Sequence, residues 1–229
     1  HAGQDGPFWM AVNHVLLTEF HHKARTQSFL DYVQRYTDSP FLIELRPDAD
    51  GLYKPGRYAR AGSLERYRND ENSEWKFLVF DTLSGEPRMP GGSMGDRWGS
   101  EGGKWNLTFR DRGNGEAINP ILTFLDTEHD VVPIVTTEFG MGKDFQRNVP
   151  ARRIMTDKGE VYVATAYDLL MAQFGVDRGL GGENPTGYDD TESPYTPAWQ
   201  ERWTGVDRAT AIQFAREWGS TAERTGGKC

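Results

Sequence analysis

Between Gly85 and Gly115 the sequence loses every regular period. Nine glycines (85, 91, 92, 95, 99, 102, 103, 113 and 115) fall there, interleaved with Trp98, Trp105 and several charges. A helix needs apolar residues three and four apart, and a half-buried strand needs alternation. Glycine inside either element costs roughly 0.5–1 kcal/mol relative to alanine. The stretch therefore reads as a long excursion on the surface of something larger. Loops of that length are functional, docked on a neighbour or unfolded. It divides the chain into an α/β region at 1–84, the Gly/Trp-rich excursion at 85–130, and a second α/β region at 131–229 whose last helix leads onward.

Outside the excursion, periodicity predicts four main helices. The first runs from Asp5 to His22 on a stripe of Phe8, Val12, Val15, Leu16 and Phe20, with Asp5 as N-cap and Pro7 in the first turn. The second covers about Thr26 to Tyr36, with Phe29, Val33 and Tyr36 on one face. The third is expected over Val161 to Phe174, on Ala164, Tyr167, Met171 and Phe174. The last starts at Asp207 as N-cap, turns Ile212, Ala215, Trp218 and Ala222 inward, and stops at Gly226. Short strands are expected at Phe41–Leu45, Lys76–Phe80 and Val131–Phe139, the last weakened by Pro133. Gly179 to Tyr195 reads as a loop. Helices alternating with short strands make the class α/β, loop-rich, with no internal repeat.

Composition narrows the function classes. Only 37% of residues are hydrophobic, yet aromatics are frequent, which suits a piece leaning on neighbouring elements. The net charge of -8, with no run of Lys or Arg, argues against a nucleic-acid partner. The single cysteine, Cys229, excludes an internal disulfide, a thiolate-held iron–sulfur cluster and a multi-cysteine zinc site built from this chain alone. No apolar run is long enough for a membrane-spanning helix. The start at His1 and the close at Gly226-Gly227-Lys228-Cys229 both read as cuts in a longer chain.

Local motifs give little chemistry. Gly91-Gly92-Ser93-Met94-Gly95 spells a hydrolase elbow, but its flanks read as neither strand nor helix. His14 and His21 share a helix face at a spacing of seven, yet no carboxylate completes a metal set with them or with His22. They read as core or solvated histidines. Gly102-Gly103-Lys104 is followed by Trp105, so it is no phosphate loop. Trp98 and Trp105 would suit sugar stacking, which keeps a carbohydrate-binding module as a rival, although its β-sandwich conflicts with four helices. The pair in Tyr188-Asp189-Asp190 reads as a loop cap.

Three stretches carry a resemblance. Asp31-Tyr32-Val33-Gln34-Arg35-Tyr36-Thr37-Asp38-Ser39-Pro40-Phe41-Leu42 is one. Trp98-Gly99 through Gly103-Lys104-Trp105-Asn106-Leu107 is another. The third links Tyr167-Asp168-Leu169, Tyr188-Asp189-Asp190, Tyr195-Thr196-Pro197-Ala198-Trp199 and Thr204-Gly205-Val206. Together they resemble the large (alpha) subunit of respiratory nitrate reductases and nitrite oxidoreductases, within the dimethyl sulfoxide reductase superfamily of molybdopterin oxidoreductases. The chain looks like an internal fragment of such a subunit.

The resemblance implies a molybdenum ion held by two pyranopterin guanine dinucleotides (bis-molybdopterin guanine dinucleotide), oxygen-atom transfer between nitrate and nitrite, and electron relay through iron–sulfur clusters. The subunit's own cluster and its metal ligand belong to the region upstream, so no catalytic residue and no metal ligand is expected here. Residues 1–84 then lie beside the cofactor-binding domain. One cofactor contact carries over: Gly3-Gln4-Asp5 is similar to the family's Gly-Thr-Asp loop beside a guanine end, with Gln4 in place of threonine. Glycine permits close approach, a carboxylate accepts paired N–H groups, and a helix N-terminus favours anions. Helix capping is the plainer role for Asp5. Implied partners are an iron–sulfur beta subunit and a haem membrane anchor or cytochrome, which would tie the subunit to a membrane on a side left open. Gln4, Trp9 and Thr196 to Glu201 look like nitrite oxidoreductases and archaeal-type nitrate reductases. Selenate, chlorate and perchlorate reductases stay as alternatives.

Overall fold

The computed structural model describes residues 3–92, 107–137, 142 and 144–227. The helices are α1 (Asp5–Leu16), α2 (Gln27–Tyr36), α3 (Ala166–Gln173), α4 (Pro197–Thr204) and α5 (Arg208–Thr225). The strands are β1 (Leu42–Pro47), β2 (Tyr53–Tyr58), β3 (Val79–Asp81), β4 (Glu86–Arg88), β5 (Pro90–Gly91), β6 (Thr108–Asp111), β7 (Asp130–Thr137), β8 (Asp144–Thr156) and β9 (Gly159–Thr165). The expected mixed, loop-rich α/β class is what is found. The chain divides into two units: one of His1–Asp31, Val135–Asn148 and Leu170–Cys229, the other of Tyr32–Ile134 and Val149–Leu169.

The second unit is built on the sheet, whose strands close in the order β1-β2-β7-β8-β9. β1 pairs antiparallel with β2 and with β9, and β8 pairs antiparallel with β9. The core gathers Leu42, Leu78, Phe80, Met89, Phe124, Ile154 and Val163. The helix expected from Val161 is corrected here: Val161 to Thr165 belong to β9, and α3 begins only at Ala166. Val161, Val163 and Thr165 are β-branched and alternate, which suits a pleated surface better than a helix turn. Thr165 then starts the helix by accepting the Asp168 N–H at 3.0 Å. The buried Asp168 carboxylate accepts from Thr123 Oγ1 at 2.5 Å and from the Phe124 N–H at 2.9 Å.

The excursion at 85–130 contains regular structure on its described flanks. β4, β5 and β6 lie inside it, and Met89, Leu107 and Asp111 are buried. A Cβ on Gly91 would sit 2.5 Å from Thr108 Oγ1, so glycine there permits the close β5–β6 approach. Trp98, Trp105 and Ser93 of the elbow lie outside the described residues.

The first unit is mainly helical, with the end of β7 and the start of β8. α1 meets α5 through Val12, Val15 and Ala215, with Phe8, Leu16 and Ile212 partly buried around them. The first helix, expected to reach His22, changes at Leu17 into a π-helical segment, Leu17–Lys23. Thr18 Oγ1 donates to the His14 carbonyl at 2.7 Å where the change occurs. α5 keeps its expected caps: Asp207 accepts the Thr210 N–H and Gly226 closes it at φ 65°. Its inward stripe is Ala211, Ala215, Gly219 and Ala222, so Trp218 is corrected to an exposed position.

Candidate functional site

Gly3, Gln4 and Asp5 lead into α1. Gly3 has φ +76° and no atom within 4 Å of the place a Cβ would take. Gln4 is the N-cap residue, half-buried, and its side chain caps nothing. Asp5 is the first helical residue rather than the cap expected of it. Among the described residues its exposed carboxylate makes no hydrogen bond or ion pair. The loop therefore offers open space above a glycine, an amide and an uncommitted carboxylate, all at a helix N-terminus where backbone N–H groups are free.

The π-helical segment that continues α1 carries polar ties. Glu19 accepts from Arg216 Nη2 at 2.8 Å and from the Tyr188 hydroxyl at 3.0 Å. Hydrogen bonding to Arg216 holds the Glu19 carboxyl below its ordinary range. His14 is 4% exposed, and its Nδ1 lies 2.7 Å from the Phe174 carbonyl. Burial depresses its pKa to about 4, so at neutral pH the ring is uncharged and Nδ1 is the donor. His14, Thr18, Lys23, Asp177 and Tyr188 line a cavity of about 350 Å³. Among the described residues no three His, Cys, Asp or Glu side chains converge as a metal site.

The acidic pair is a loop fastener. Asp190 accepts the N–H groups of Thr186, Glu192 and Ser193, which hold its carboxyl down at about 2 against the opposing effect of burial. Asp189 pairs with Arg208, which also grips Glu201 at 2.5 Å. α4, which periodicity does not reveal, explains much of the third motif. Thr196 caps it by accepting the Trp199 N–H, Pro197 fills its first turn, and Gly205 ends it at φ 73°. Buried Gln200 then joins Val206 O at 2.7 Å and the Thr204 hydroxyl at 2.5 Å.

No protein-family model matches the chain. Its sequence is 36% identical to the nitrate reductase alpha chain of Bacillus subtilis over 228 residues, 99% of this chain and 18% of the relative. It is 40% identical to the respiratory nitrate reductase 1 alpha chain of Escherichia coli over 240 residues, 99% of this chain and 19% of the relative. Over nearly its whole length the chain is homologous to a segment of nitrate reductase alpha chains. A 34% match to the respiratory nitrate reductase alpha chain of Bradyrhizobium sp covers 99% of this chain and 22% of the relative. The chain thus spans about a fifth of the length of these alpha chains. The first family motif also has a framework role: Thr37 Oγ1 bonds Val33 O at 2.5 Å, and Asp38 accepts from the Tyr58 hydroxyl at 2.5 Å.

Proposed function

We propose that this chain is a segment of the molybdenum-bearing alpha chain of an enzyme that interconverts nitrate and nitrite by oxygen-atom transfer. The observation that carries the reading is identity of 34–40% over 99% of the chain to proteins named nitrate reductase alpha chains. Nitrate reduction is the primary direction. Nitrite oxidation is the same two-electron couple reversed, and the resemblance at Gln4, Trp9 and Thr196 to Glu201 favours keeping it in the assay. The cofactor is bis-molybdopterin guanine dinucleotide, and the loop Gly3-Gln4-Asp5 takes one guanine end. The open space over Gly3 and the uncommitted Asp5 carboxylate fit that group.

When bound, the cofactor supplies the metal at which the oxygen atom and two electrons are exchanged. The role of this chain is placement. Gly3 admits the ring close to backbone, Gln4 presents an amide, and Asp5 accepts paired ring N–H groups. The bonds from Glu19 to Arg216 and Tyr188 hold the π-helical segment that continues α1. An iron–sulfur cluster in the upstream region, an iron–sulfur beta subunit, and a haem anchor or cytochrome complete the electron path and associate the enzyme with a membrane. Among the described residues no helix is itself long and apolar enough to cross one.

The test is Asp5→Ala and Asp5→Asn in the full-length enzyme. Hydrogen bonds to a charged group contribute about 1.5–3 kcal/mol, so guanine-end affinity should fall roughly 10- to 150-fold. Released guanine nucleotide and bound molybdenum are measured beside nitrate reduction and nitrite oxidation. Full cofactor content in both variants would remove Asp5 from the site. A wild-type enzyme without molybdenum, or inactive in both directions, would sink the functional reading itself.

A further inference from the structure

Three large rings of the first unit stand exposed side by side. Trp9 on α1 and Phe214 and Trp218 on α5 are 40%, 37% and 39% exposed. They interlock edge to face, with centroids 5.0 Å apart for Trp9–Trp218, 5.8 Å for Trp9–Phe214 and 5.6 Å for Phe214–Trp218. Phe8 joins at 5.4 Å from Phe214. Singly exposed apolar residues are ordinary on a protein surface, whereas these three rings are contiguous. Rings already held by one another lose little freedom on binding, and aromatic anchors dominate the centres of interfaces.

We infer that this cluster is where another segment of the same alpha chain, outside residues 1–229, docks through aliphatic side chains. The inference rests on the chain being a segment of such an alpha chain. Two observations select that occupant. About four fifths of each relative's length lies outside this segment. The exposed area is also small. Aromatic side chains bury roughly 150–250 Å² each, so three of them about two-fifths exposed offer roughly 180–300 Å². A stable interface between separate proteins needs about 800 Å² per partner. A patch of this size suffices within one polypeptide, where the covalent connection supplies a high effective concentration. Position gives the contact a purpose: Asp5 and Trp9 are four residues apart on α1 and so share a face. Whatever covers Trp9 therefore lies beside the Gly3-Gln4-Asp5 loop.

Hydroxyl-radical footprinting of the full-length alpha chain tests this, with oxidation of Trp9, Phe214 and Trp218 read by mass spectrometry. The chain is probed alone at two concentrations, within its complex, and unfolded in urea. The expected result is oxidation at least about tenfold slower in the isolated native chain than in urea, independent of concentration and unchanged in the complex. Trp218→Ser should then raise Trp9 oxidation several-fold. Protection that appears only in the complex would assign the face to a partner subunit. Protection that grows with concentration would assign it to a second copy, and absent protection would leave it bare. Each of these overturns the inference. Polypeptide mass and molybdenum content measured on the same sample separate those outcomes from failure of the family-based function.

Discussion

Gly219 lies buried inside α5, where a glycine costs about 1 kcal/mol relative to alanine. Its neighbour explains it. A Cβ there would sit 2.4 Å from Cε2 and 2.5 Å from Cζ of Phe20, far inside the 3.5–4.0 Å of a relaxed carbon contact. Phe20 is itself buried and packs edge-on against Phe29 at 6.0 Å, so the ring has little room to retreat. Gly219→Ala therefore gains about 1 kcal/mol of helix propensity and incurs an overpacking cost of about 1–3 kcal/mol. With the ring held on two sides the upper end of that range applies, for a net loss of about 1–2 kcal/mol. Amide hydrogen exchange in the full-length subunit reads this locally, where a global melting temperature is ill-defined. Exchange along α5 should quicken roughly 5- to 30-fold. Ser220→Ala, on the exposed side of the same helix, serves as control and should slow exchange slightly. If Gly219→Ala slows exchange as the control does, the close approach of α5 to Phe20 is wrong.

The sequence is most legible where a local rule and the packing agree. α5 has a carboxylate cap, an apolar stripe and a terminal glycine, and only its inward face differs from the periodic reading. Trp218 reads as core because it is large and apolar, but the space beside Phe20 admits only Gly219. Val161 to Thr165 mislead for the opposite reason: Ala164 fits a helical spacing with Tyr167 and Met171, but β-branching and pairing with β1 decide it. Thr165 and Asp168, three apart, are the available helix-start signal. α4 is hidden because its eight residues bury Trp199 and Gln200 alike, so no polar–apolar period shows. Its Thr-Pro start and Gly end are nevertheless visible in the sequence. The π-helical turn at Leu17 follows from local hydrogen bonding that periodicity does not encode. At the candidate site the residue types are legible. Only the backbone shows that Asp5 caps nothing and keeps its carboxylate uncommitted.

Two further outcomes follow from buried polar groups. Arg147 is fully buried and donates to Ala172 O at 2.6 Å, Gln173 O at 2.8 Å and Glu183 O at 3.1 Å. Arg147→Met strands these carbonyls at a cost of about 2–5 kcal/mol, which should appear as faster proteolysis across 174–187 in the full subunit. Unchanged cleavage would mean that the three bonds do not hold that loop. His14 gives a pH dependence whose sign can be worked out. Its ordinary pKa is 6.5 and burial lowers it to about 4 in the folded chain. Between those values the unfolded chain binds a proton there that the folded chain does not, so stability falls as pH drops from 6.5 toward 4. His21, also lowered to about 4 by burial, acts in the same window. His14→Gln keeps a donor for the Phe174 carbonyl and removes one of these two titrations. Exchange of the α1 amides should therefore become less sensitive to acid over that range, though not insensitive. An undiminished acid slope in His14→Gln would show that His14 does not enter the folded chain in its neutral form.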